Sequence, residues 1–270
     1  MTGEGNEVIR SMDCHAITDN PPQTSIENGV RKVAFTLAEV LITLGIIGVV
    51  AVLTIPSVIN NIKYKQFQAA FKSAYSIFSQ AVMNMKQESG EEDLNSYYAK
   101  YDYVEKTYIN AQEFYDKFYK YSNLNVIGKC YYENPIRNYN NTNDGFMKSL
   151  LVSSGSKVFD SLLSNGMCSV VWIASSRINI GIDVNGIKGP NRLGHDIFRF
   201  YIGEDNRLKP DKMERLYSEE ELENEKYPYI SGIPCSVNSK QAGNGLGCAY
   251  YALIDENPDD RTKSYWKSLP

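Results

Sequence analysis

Histidine is nearly missing from this chain, with two residues in 270. That excludes a His-rich metal centre and leaves little material for imidazole-based catalysis. An excess of positive charge is missing too. Against 28 basic residues stand 32 acidic ones, a net charge of −4. The broad cationic surface that grips a phosphate backbone is therefore absent, and no nucleic-acid partner is indicated. The five cysteines show no CxxC pair, which argues against zinc, and an odd number is awkward for a disulfide framework. Neither GxSxG nor HExxH occurs. Gly243-Asn244-Gly245-Leu246-Gly247 lacks the Lys-Ser/Thr ending of a P-loop, and Cys248 stands where a dinucleotide fingerprint needs its last glycine. With no catalytic constellation, the chain reads as a non-enzyme. What remains is ordinary globular material, 43% hydrophobic and 22% charged. Mean hydropathy is −0.37, polar on average. One segment breaks that average.

From Val40 to Ile62 there are 23 consecutive residues without a charge. The stretch Phe35–Ile55 holds 15 apolar residues of 21, and its one charge is Glu39. At about 1.5 Å per residue such a helix covers roughly 30 Å, the hydrocarbon thickness of a bilayer. A buried helix of a soluble protein and a cleaved secretory signal are the alternatives. The run is long for a signal, and no small-x-small cleavage site follows it. A spanning helix fits best. On it, an unpaired Glu39 carboxylate costs about 3 kcal/mol by insertion scales, so it calls for a partner charge. Pro56 removes a backbone hydrogen bond and is expected to kink or loosen the helix without ending it.

Past Pro56 the pattern becomes amphipathic. Phe67, Ala70, Phe71, Ala74, Tyr75, Phe78, Ala81, Val82 and Met85 recur at three- and four-residue steps, with Lys65, Lys72, Gln80 and Lys86 largely elsewhere. One helix of about 50 residues is expected, apolar all round in its first half and buried along one face in its second.

The run Ala34-Phe35-Thr36-Leu37-Ala38-Glu39-Val40, preceded by Arg31-Lys32 and followed by LITLGIIGVVAVLTIP, resembles the cleavage and methylation signature of type IV prepilins and type II secretion pseudopilins. The resemblance covers about residues 31–60, and the amphipathic extension supports it to about 88. It implies that a prepilin peptidase/N-methyltransferase cuts between Ala34 and Phe35 on the cytoplasmic face and methylates the new Phe35 amine. Glu39 would then pair with the Phe35 ammonium of a neighbouring subunit, and Pro56 matches the proline at which such helices loosen in filaments. Ala34 stands where the family usually has glycine. Basic residues flank both ends of the apolar run (Arg31 and Lys32, Lys63 and Lys65), so charge alone leaves orientation open. The family implies a single-pass protein of the bacterial inner (cytoplasmic) membrane, its N-terminus cytoplasmic and its bulk outside. Implied partners are other pilin or pseudopilin subunits, an inner-membrane assembly platform and the lipid bilayer.

The expected organisation is a leader over 1–34, a long helix over 35–90 that spans the membrane at about 35–59, and an extracytoplasmic head over 91–270. Within the head, Tyr97–Asn123 keeps helical spacing at Tyr108, Ala111, Phe114 or Tyr115, and Phe118. MCSVVWI, INIGIDV and DIFRFYI read as three strands joined by compact links, the first after a Ser164-Asn165-Gly166 turn. The fold class is α+β, a pilin-like arrangement of the long helix on an antiparallel sheet.

Asp183, Asn185, Asn191 and Asp196 are oxygen donors of the kind calcium takes, in a Gly- and Pro-rich stretch, and some pseudopilins carry calcium. EF-hand spacing and its closing Glu are absent, and an Asx-stabilised turn between strands is the competing reading. His195, beside them, has no nucleophile or base pattern around it. Cys235 and Cys248 resemble the ends of the C-terminal disulfide loop of many pilins, and outside the cytoplasm that bridge is worth about 3 kcal/mol. Cys130 and Cys168 are a candidate second pair, which leaves Cys14 in the leader. The acidic Glu219–Glu225 run reads as solvated surface. The expected function is a structural subunit of a type IV pilus or type II secretion pseudopilus. The alternative is a membrane-anchored extracytoplasmic binding protein that never polymerises.

Overall fold

The computed structural model describes residues 36–132, 135–142, 157–174, 176–216, 220 and 233–270. Of the Glu219–Glu225 run, only Glu220 belongs to them. The chain divides into two units, Met1–Ala51 and Val52–Pro270. Helix α1, Leu37–Ser89, supplies the described part of the first unit nearly alone. There Val40, Leu41, Ile42, Leu44, Ile46, Ile47, Val49 and Val50 are all exposed. β-branched residues are weaker helix formers in water, and a helix is the form in which a single apolar segment satisfies its own backbone amides. α1 is the one helix among the described residues long and apolar enough to cross a membrane. It passes through Pro56 without interruption.

The second unit is built on a sheet. Six strands, β3 (Val126–Gly128), β4 (Lys157–Leu163), β5 (Cys168–Ala174), β6 (Arg177–Asp183), β7 (Ile197–Ile202) and β8 (Leu208–Pro210), lie in sequence order, each antiparallel to the next. A separate hairpin pairs β1 (Tyr101–Asp102) with β2 (Thr107–Tyr108). Gly166, at φ +84°, makes the β4–β5 turn, a conformation that favours glycine.

On one face of the sheet, Val171, Ile173, Ile178, Ile180, Ile182, Phe198 and Phe200 form a single cluster with Phe71, Ala74, Phe78, Ala81, Val82 and Met85 of α1. The Phe71 ring lies 4.4 Å from that of Phe198 and 5.8 Å from that of Phe200. Alanines between the aromatic residues of the stripe let the helix settle closely, and each buried Phe contributes about 1.5–3 kcal/mol. Residues 67–85 of α1 thus belong to the same core as the strands. The helix stops at Gly90, which takes φ +66°, while Lys86 donates to the carbonyls of Glu91 and Glu92.

The opposite face is covered as well. Side chains alternate along β5, so Cys168, Val170 and Trp172 point away from α1 and pack with Cys130, Tyr132, Ile136, Leu193, Ile197 and Leu246. Disulfides join Cys130 to Cys168 and Cys235 to Cys248.

The helix expected within Tyr97–Asn123 is present from Ala111 onward, and the residues before it are a correction. The chain instead forms α2 (Leu94–Tyr98), the β1–β2 hairpin and α3 (Ala111–Ser122). The Asp102 carboxylate accepts the amides of Val104 and Glu105, and Lys106 turns at φ +51°, so local hydrogen bonding breaks the helix. Tyr108 is therefore a strand residue stacked edge-on with Tyr101, whereas Ala111, Phe114 and Phe118 do line the buried face of α3.

Candidate functional site

Ala34 and Phe35, the expected processing junction, lie outside the described residues. Description begins at Thr36, which stands just before the first helical residue. Its backbone N–H and its hydroxyl each donate to Glu39 Oε2 at 2.8 Å, and the Glu39 N–H donates back to Thr36 Oγ1 at 3.2 Å. This is a capping box: two of the orphan amides at a helix start are satisfied by side chains. It also places a carboxylate at the positive end of the helix dipole. Glu39 is thus fixed by its own helix, at the opening of the exposed apolar segment. The Thr-x-x-Glu spacing is the sequence signal for this cap, which the charge of Glu39 alone does not reveal.

Asp183, Asn185, Asn191 and Asp196 are brought together where β6 meets the loop to β7. The Asn side-chain donors and the two Asp carboxylates are spent on the loop and its neighbours, while Asn185 Oδ1 and Asn191 Oδ1 are buried without a hydrogen-bond partner. Asp196 accepts the amides of Asn191 at 2.9 Å and Arg192 at 2.7 Å. Asp183 accepts the amide of Asn185 at 3.2 Å and the Tyr132 hydroxyl at 3.0 Å. The Asn185 amide donates to the carbonyls of Lys188 and Gly189, and the Asn191 amide to that of Ile187 at 3.4 Å. These are the bonds of an Asx-stabilised turn. Among the described residues, no group of three or more His, Cys, Asp or Glu is placed to hold a metal. Burial raises both acids above the usual carboxylate range, Asp183 further because Asp196 lies beside it.

His195 lies under the same loop, 1% exposed, with Nε2 3.2 Å from the Tyr139 carbonyl. Burial, helped by the Arg192 guanidinium, lowers its pKa to about 3. It is a neutral imidazole that packs, with no nucleophile among its hydrogen-bond partners.

The Cys235–Cys248 loop is organised by a fully buried Asn244. Its amide donates to the carbonyls of Ser236 at 2.7 Å and Ser239 at 3.1 Å, and its Oδ1 accepts the Ser236 amide at 3.1 Å. Gly245 takes φ +116°, and a Cβ there would stand 2.4 Å from that of Leu193. A Cβ at Gly247 would meet the Ile233 carbonyl oxygen, so close packing accounts for these two glycines of the stretch that superficially resembles a phosphate loop. Compared with protein-family models, curated proteins and solved structures, the chain matches none.

Proposed function

We propose that this chain is a non-enzymatic structural subunit of a type IV pilus or type II secretion pseudopilus, cut before Phe35, N-methylated there and assembled through its apolar helix. The observation that carries the reading is Glu39. It is the only charge between Phe35 and Ile62, and it stands fifth after the Ala34–Phe35 junction. The same helix continues into the core of the second unit, so an anchor and a folded body share one element. In this reading the N-terminus is cytoplasmic, the body lies outside the inner membrane, and the Phe35 ammonium of a neighbouring subunit offsets what the Thr36 cap leaves of the roughly 3 kcal/mol that an unpaired carboxylate costs in lipid. Pro56 supplies the point at which the helix loosens on assembly.

The test is the N-terminal mass of protein extracted from membranes. Protein beginning at a methylated Phe35 supports the proposal, and an intact leader in peptidase-positive cells sinks it. Crosslinking between cysteines placed on the apolar segments of neighbouring copies then separates a filament subunit from an anchored protein that stays single.

A further inference from the structure

Just beyond Ile59, the face of α1 changes character. Asn61, Tyr64, Lys65 and Gln68 recur at three- and four-residue steps and so share one face. That face meets the segment carrying Asp255, Trp266 and Lys267, and between them lies a pocket of about 370 Å³. The Asp255 carboxylate is already engaged: it accepts the Ser264 hydroxyl at 2.8 Å, the Trp266 amide at 3.3 Å and the Gln68 side chain at 3.5 Å. The two ammonium groups are not engaged. Lys65 and Lys267 are both exposed, and neither forms an ion pair among the described residues. A third cation, Lys63, extends over the Phe67 ring at 5.5 Å.

The surroundings identify the ligand class. One turn earlier on the same face is Val58, 54% exposed, and Ile59 and Ile62 beside it are 56% and 51% exposed. The pocket thus opens where the exposed apolar surface of the helix gives way to polar residues. Tyr64, half-buried on this face, is of a residue type that gathers at a membrane–water boundary, whereas Trp266 is a core residue that lines the pocket, 3% exposed, with its indole N–H donating to the Ala252 carbonyl at 2.9 Å. Unpaired cations, amide donors and one interfacial tyrosine at the end of an apolar surface match a phosphate that has hydrocarbon attached to it.

We propose that this pocket holds the headgroup phosphate of a membrane glycerophospholipid, with Lys65 and Lys267 as its cationic partners and the acyl chains lying along the Val58 side of α1. The proposal rests on the reading of α1 as a membrane anchor. The experiment takes the full chain from membranes into mild detergent and measures retained glycerophospholipid by native mass spectrometry. The wild-type chain is expected to keep one lipid, and Lys65→Gln and Lys267→Gln each to lower the retained fraction about fivefold, the weight of one surface cation against an anionic lipid. Lys72→Gln, exposed about two turns further along the same face of α1 and outside the pocket lining, is expected to leave retention unchanged. Equal retention by the wild type and the Lys65→Gln/Lys267→Gln double variant would overturn the site. Displacement of the lipid by soluble glycerol 3-phosphate at millimolar concentration would overturn the lipid as its source. Release of the chain from membranes by carbonate would overturn the anchor itself, and that result is read before any lipid is counted.

Discussion

Acidification should unfold the second unit partly through one side chain, His195. In the folded chain its imidazole is buried and its pKa is held at about 3, whereas the unfolded chain binds that proton near the ordinary 6.5. A depressed histidine contributes stability that is present above pH 6.5 and lost as pH falls toward 3. At about 1.4 kcal/mol per unit, the loss is about 2 kcal/mol between pH 6.5 and 5 and about 4 kcal/mol by pH 3. Asp183 and Asp196 act in the opposite direction. Their raised pKa values favour the folded state at low pH and withdraw that support as pH rises through the folded values. The total pH profile therefore mixes both signs, and a difference measurement isolates the histidine. His195→Gln keeps an amide donor for the Tyr139 carbonyl and carries no titrating group. Denaturant unfolding of the full chain in detergent, followed through the buried Trp172 and Trp266, should give a wild-type profile that falls more steeply than the variant's by about 2 kcal/mol from pH 6.5 to 5. Parallel profiles would refute a neutral, buried His195.

Four further outcomes are expected. Phe71→Ala removes a fully buried ring that touches Phe198, Phe200 and Trp266, and should cost about 3–5 kcal/mol in the same unfolding assay. Replacing Cys235 and Cys248 together by Ser opens a loop with a sequence separation of 13 and should cost about 3 kcal/mol, with reducing agent lowering the wild type but not changing this closure in the variant. Glu39→Ala should leave membrane insertion intact or improved while filament incorporation falls, and Thr36→Val should fray the first turn by about 1 kcal/mol, read as faster amide exchange at residues 37–40. Normal incorporation of Glu39→Ala would remove the intersubunit role assigned to that carboxylate.

The parts of the fold legible in the sequence are those governed by periodicity. The stripe from Phe67 to Met85 is the buried face of α1, and β5, β6 and β7 start and stop within a residue or so of the apolar runs that announced them. The edge strands β3 and β8 are three residues each, too short to show any alternation. The β1–β2 hairpin was hidden because Tyr108 and Ala111 happen to fall at a helical step, while the deciding bond, Asp102 to the amides of the turn, is a local side-chain effect that competes with the helix. The second covering of the sheet comes from Tyr132 and Ile136, residues outside any helix or named strand, and from Leu246 in a single 3-10 turn, none of which shows a period. At the site, the need of Glu39 for compensation was visible as a charge in an apolar run. That part of the answer is a neighbour three residues away was written in Thr36 and is a matter of capping chemistry.

That cap bears on how crowded Glu39 can become. A carboxylate offers about four lone-pair directions over its two oxygens. Thr36 takes two of them, both on Oε2, by way of its amide and its hydroxyl. An ammonium arriving from a neighbouring subunit can therefore use the Oε1 side and leave the cap closed. The first turn of the helix need not unwind for a second subunit to bind it, so in the proposed filament joining and folding of this end are additive events, and each can be removed by mutation without the other.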